Sequence, residues 1–165
     1  MLHFKFERQA GQTIIEATIA LSLVIIVLGA ISMVVVTGLN NSIFSRNQTL
    51  AIKLSESGVG YIKFLSNNNP SFFSTYTDPT TIYCLNEPIT FPIGVGGATG
   101  VGCSLINNIF RRTIEFPASN VSCSGRRVII TTFWSSGKCS SSSPYCHKTQ
   151  VESCFAPPPS GGVSL

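Results

Sequence analysis

The chain has 165 residues, 44% of them hydrophobic and only 11% charged, with a formal net charge of +4 at pH 7. A soluble domain usually carries roughly 25% charged residues, so this composition is not that of an ordinary soluble surface. The length leaves room for one modest domain plus a membrane segment.

Residues 1 to 11 form a short mixed leader with Lys5 and Arg8 against Glu7, too short to hold the apolar core of a secretory signal peptide. From Gln12 the chain reads as one long helix. Ala17 to Val36, ATIALSLVIIVLGAISMVVV, is twenty residues without a charge. At about 1.5 Å per residue that run spans roughly 30 Å, the hydrocarbon thickness of a bilayer. The remaining chain is too small to wrap such a helix on every side, so residues 12–36 are expected in a membrane. Basic residues precede this segment closely, while the first one after it is Arg46, which predicts a cytoplasmic N-terminus and an exported C-terminal part. Glu16 stands at the mouth of the apolar run. A carboxylate near the bilayer centre costs roughly 2.5–3.5 kcal/mol, so such a residue calls for a function and a partner.

Residues 37–69 continue at helical spacing. Gly38, Asn40 and Asn41 are expected to loosen the helix, after which Ile43, Leu50, Leu54, Tyr61 and Leu65 make one apolar stripe with Arg46, Lys53 and Glu56 outside it. Gly58 and Gly60 weaken the pattern, and SNNNP ends it before Pro70. Residues 70–155 form a β-rich head. Its first part is a Pro-, Thr-, Gly- and Asn-rich connection with a short strand near Thr81 to Leu85. GVGGATGVG, 94–102, reads as a flexible turn region that fits neither a dinucleotide fingerprint nor a P-loop. FRRTIEF (110–116), RRVIITTFW (126–134) and HKTQVESCF (147–155) are three strand candidates separated by turn-forming residues. The fold class is therefore α+β, with the second half of the helix covering one face of an antiparallel meander. The tail 156–165, APPPSGGVSL, is expected to be flexible or extended.

All six cysteines, Cys84, Cys103, Cys123, Cys139, Cys146 and Cys154, lie beyond the apolar segment. An even set confined to the presumed external part predicts up to three disulfides and an oxidising compartment. Six cysteines admit fifteen pairings. Cys139–Cys146 is favoured as a local loop, with Cys84–Cys103 next. Metal binding by Cys139, Cys146 and His147 is the rival, but neither a CxxC pair nor a haem-attachment motif is present, and no cofactor is expected.

A basic leader ending in Gly11, followed by Gln12-Thr13-Ile14-Ile15-Glu16 and a membrane helix, resembles the class III signal sequence of type IV prepilins. The motif covers about the first 35 residues. The long-helix-plus-cysteine-head layout extends the likeness loosely over the chain, and RNQTLAIKLSESGVGYIK looks like the continuing helix of PilV-like minor pilins. The resemblance implies a type IV pilin-like fold and a structural subunit, a minor pilin or pseudopilin. It implies cleavage between Gly11 and Gln12 by a membrane-embedded prepilin peptidase, with N-methylation of Gln12. It also implies that Glu16 pairs with the amine of Gln12 on an adjoining subunit. The partners would be other pilin subunits and an assembly platform in the inner membrane. The product would pass from the cytoplasmic membrane to an extracellular filament. Gln12 departs from the phenylalanine most common at that position. No proline interrupts the membrane helix either, so any mid-helix break would rest on Gly29 or Gly38.

Two other readings compete. A single-pass, membrane-anchored extracellular binding protein explains the helix and the cysteines but leaves Gly11 and Glu16 without a role. A DNA-uptake pilin is suggested by the basic balance beyond Val36, nine Lys and Arg against five Asp and Glu. If one arginine of each pair faces outward, Arg112 and Arg127 are the candidate phosphate contacts. Catalysis has little support: His3 and His147 have no nucleophile motif beside them, and Glu115 with Glu152 is the lone candidate acid pair, so no enzyme is expected.

Overall fold

The computed structural model describes residues 10–69, 72–76, 78–89, 93–118, 122–123 and 125–156, with side chains from residue 13 onward. The chain divides into two compact units, Met1–Ile43 and Phe44–Leu165. One helix, α1 (Ala10–Asn68, 59 residues), belongs to both. Gly29, Gly38, Asn40 and Asn41, where loosening or a break was expected, are helical. The reason is local: no proline lies in α1, so no backbone N–H is missing from its ladder. The helix ends where Asn69 N–H donates to Leu65 O at 2.8 Å and the Asn68 amide to Phe64 O at 2.8 Å. Pro70 follows, which disfavours helical geometry in the residue before it.

In the second unit, α2 (Phe72–Thr75) is a single turn that seats Phe72 in the core. Four strands then make an antiparallel meander in the order β1-β2-β3-β4: β1 (Ile82–Cys84), β2 (Phe110–Glu115), β3 (Arg126–Trp134) and β4 (His147–Phe155). The α+β reading holds, and the three long strand candidates match their segments nearly residue for residue. Asp78 shapes the turn before β1. Hydrogen bonds from the side chains of Thr81 and Thr80 and from the Thr80 backbone hold its carboxyl down at about 2.

Register assigns the faces. Arg112 pairs with Thr132, Ile114 with Ile130 and Phe110 with Trp134, and these residues face the second half of α1. The odd-numbered residues of β2 and β3 face the other way, where the segment 94–103 lies over β2. Cys84 N–H donates to Gly94 O, Gly96 N–H donates to Ile82 O, and Gly100 comes against Arg111 and Thr113. This segment, expected to be a flexible turn, carries a 3₁₀ turn at Ala98–Gly100 and is tied down by Cys84–Cys103. Phe72, Tyr76, Tyr83 and Phe116 form an aromatic core cluster, with Tyr76 stacked on Phe116 at 5.5 Å between centroids.

The buried line of α1 is not the apolar stripe read from spacing. Ala51, Ser55, Gly58 and Ile62 are buried, Leu50, Leu54, Tyr61 and Leu65 flank them half-buried, and Ile43 is exposed. Small residues occupy the centre because the helix lies close to β3. The Ser55 hydroxyl donates to Ala51 O at 3.0 Å and accepts from the Thr132 hydroxyl at 2.7 Å, a buried polar contact with both partners supplied.

Gly58 marks the tightest approach. A Cβ there would stand 2.9 Å from Leu85 Cδ2 and 3.0 Å from Ile130 Cδ1, whereas a Cβ at Gly60 would meet nothing within 4 Å. The two glycines therefore respond oppositely to substitution. Gly58→Val is expected to destabilise by about 1–3 kcal/mol through overpacking, and Gly60→Ala to stabilise by about 0.5–1 kcal/mol through helix propensity. Urea denaturation of both variants checks this, and a shared sign would contradict the packing described.

Candidate functional site

Every residue described from Thr13 to Arg46 is exposed, and the helix is long and apolar enough to cross a membrane. Its hydroxyls are accommodated internally. Thr18 donates to Ile15 O, Ser22 to Thr18 O, Ser32 to Leu28 O and Thr37 to Met33 O, at 2.7–2.9 Å. With those bonds made, the hydroxyls have no need of water, as hydrocarbon surroundings require. Glu16 is the exception. Its carboxylate sits on a shallow apolar surface with Ile15, Ile19, Ala20 and Leu23 and has no hydrogen-bond or ion-pair partner among the described residues.

No helical pattern supplies that partner. Residues 13–15 and 17–45 carry no charge, so there is no cation one turn away on the same helix that could neutralise the carboxylate. No neutralising partner for Glu16 stands among the described residues of its own unit. The Gly11–Gln12 bond lies in the first turn of α1, which begins at Ala10; residues 1–9, expected to belong to a leader, and the side chains of residues 10–12 lie outside the described set. The tail beyond Ala156 does too. No family model, curated protein or solved structure matches this chain.

In the head the two arginines expected to share an exposed surface lie on opposite faces. Arg112 is fully buried under α1, which corrects its reading as a phosphate contact. Its Nε donates to Leu85 O at 3.0 Å, and its Nη1 donates to Leu54 O at 2.6 Å and to Ser57 Oγ at 3.1 Å. Its Nη2 faces Glu87 Oε1 at 3.5 Å. Burial pushes the guanidinium's pKa down and Glu87 offsets part of that. Strand alternation had assigned one arginine of the pair to each face without saying which, and register with β3 decides it. The outward member is Arg111, whose guanidinium lies over the Tyr145 ring at 4.3 Å.

Arg127 does face outward, but its fork is taken by Glu152, Nε to Oε1 at 2.6 Å and Nη2 to Oε2 at 2.9 Å. That hydrogen bonding raises the arginine's pKa and lowers the carboxylate's. Glu115 and Glu152 are not cross-strand neighbours: both pair with Ile129, which stands between them on β3. The acid-pair arrangement is therefore not formed.

All six cysteines are paired: Cys84–Cys103, Cys123–Cys154 and Cys139–Cys146, with Cα separations of 5.2, 5.7 and 5.4 Å. Both favoured pairings are present. Cys139, Cys146 and His147 do converge, their potential ligand atoms lying within 4.8 Å of one another. The two sulfurs are bonded to each other, however, and a disulfide offers no thiolate to a metal. His147 stacks on Trp134 at 5.5 Å and meets Phe44 edge-on at 5.0 Å, so its ring completes the packing at that end of the head.

Proposed function

We propose that this chain is a prepilin-like structural subunit, a minor pilin or pseudopilin. It would be cut between Gly11 and Gln12 on the cytoplasmic side and assembled through α1 into an extracellular filament. The observation that carries this reading is Glu16: a carboxylate without a partner among the described residues, on an exposed helix apolar enough to cross a membrane. Cleavage after Gly11 creates a positive amine at Gln12. Supplied by a neighbouring subunit, that amine neutralises Glu16 and sets the axial register, because any other register leaves both charges unpaired in an apolar filament centre. The second half of α1 carries the head, a sheet stapled by three disulfides. Such staples offset the limited core of a small exported domain. The partners are then other subunits, a prepilin peptidase and an inner-membrane assembly platform. Burial of Arg112 removes half of the basic pair that favoured DNA uptake.

The reading is tested in cells bearing a prepilin peptidase and an assembly machine. Glu16→Gln is expected to leave the mature mass and membrane insertion unchanged while reducing filament-associated protein at least about tenfold, the consequence of losing some 1.4 kcal/mol or more of pairing. Gly11→Asp is expected to retain residues 1–11 by mass spectrometry. An unsubstituted exported product still carrying its leader would instead support the membrane-anchored binding protein.

A further inference from the structure

The three disulfides differ in what an incoming thiol meets, and that difference goes beyond the filament reading. A thiolate attacks one sulfur in line with the S–S bond and expels the other, so exchange needs an accessible sulfur and a stabilised leaving thiolate. Cys84–Cys103 offers neither, since Cys84 is 5% and Cys103 6% exposed. Gly96 also backs directly onto the bond: a Cβ there would stand 2.7 Å from both sulfurs. Cys123–Cys154 has an accessible sulfur at Cys154. Attack on the exposed Cys154 would expel the sulfur of Cys123, 3% exposed, as a buried charge.

Cys139–Cys146, in the loop between β3 and β4, is different. Cys146 is exposed and Cys139 half-buried. The Cys139 sulfur already accepts the N–H of Ser136 at 3.3 Å and the N–H of Cys146 at 3.4 Å, with the Ser136 hydroxyl 3.9 Å away. That hydroxyl also shares a hydrogen bond with His147 Nε2 at 2.8 Å. Among the described residues no such set of donors points at the Cys146 sulfur. The asymmetry identifies the sulfur to be attacked and the sulfur that leaves.

We propose that Cys139–Cys146 is a thiol-exchange site that takes a low-molecular-weight thiol at Cys146. The incoming thiolate forms a new S–S bond to Cys146 Sγ. The Cys139–Cys146 bond breaks with its electron pair going to Cys139 Sγ, and the resulting thiolate is held by the two N–H donors until it takes a proton from solvent. The mixed disulfide has two exits. Cys139, seven residues away, can re-attack and restore the original bond. Alternatively, a second thiol removes the first as a disulfide, which leaves Cys139 and Cys146 reduced and two thiols oxidised, a balanced two-electron exchange.

The test uses the full chain in detergent with its disulfides intact, glutathione as the probe, acid quenching over a time course, and peptide mapping by mass spectrometry. Cys139–Cys146 is expected to open at least about tenfold faster than the other two bonds, with the first glutathione adduct on Cys146. Opening of either other disulfide first or at an equal rate would overturn the proposal, and so would a first adduct on Cys139. The position of the adduct separates this chemistry from simple exposure, which would not choose between the two sulfurs.

Discussion

Replacing Arg112 with alanine is expected to destabilise the head by about 3–5 kcal/mol, the cost of removing one member of a buried, hydrogen-bonded charge system. The guanidinium is the one group that touches both the carbonyl of Leu54 on α1 and that of Leu85 after β1, and it reaches Ser57 and Glu87 as well. Its loss strips donors from buried oxygens and leaves a cavity between helix and sheet. Lysine is not expected to rescue it, because a single ammonium cannot reproduce a planar fork serving several acceptors at once. Urea denaturation of the full chain in detergent, followed by the fluorescence of Trp134, the only tryptophan, measures the effect. Arg127→Ala is the control: its partner Glu152 is a solvent-exposed surface residue, and the midpoint should hardly move. Equal effects from the two arginines would contradict the burial described here.

The second large effect belongs to the disulfide of longest reach. Cys123→Ala combined with Cys154→Ala opens a loop of sequence separation 31, against 19 for Cys84–Cys103 and 7 for Cys139–Cys146. Chain entropy assigns about 3–4 kcal/mol to the first and about 2–2.5 kcal/mol to the last. Cys154 pairs in register with Arg127, so this bond anchors the end of β4, an edge strand, to the segment between β2 and β3. The doubly substituted chain is expected to show a lower urea midpoint than the chain lacking Cys139 and Cys146. The reverse order would mean that the short loop, rather than the long one, restrains the unfolded head.

Much of this architecture is written locally. The strands β2, β3 and β4 were legible because β-branched and aromatic runs are bounded by proline, glycine and serine, and α1 because no proline interrupts it, although its continuity through Gly38, Asn40 and Asn41 was not expected. Cys139–Cys146 was legible from proximity alone. The central line of α1 was not, because Ala51, Ser55 and Gly58 carry no apolar signal. They are chosen for how little space they take beneath β3, and a search for large apolar residues finds Ile62 and the flanks of that line but not its centre. Arg112 was misplaced for a related reason. An arginine pair on a strand puts one member on each face, and which one goes inside depends on register with a partner strand many residues away.

Glu16 shows the division most plainly. Its oddity needs no coordinates, since a lone acid at the edge of twenty uncharged residues is costly once that helix enters hydrocarbon. Helix length, strand identity and the cysteine set likewise belong to local order, because turn residues, periodicity and charge act over a few neighbours. Which arginine is buried, how close the helix lies to the sheet, and which sulfur is surrounded by donors were decided by tertiary packing alone. Those outcomes depend on contacts between segments distant in the chain, and on the space each leaves for the other.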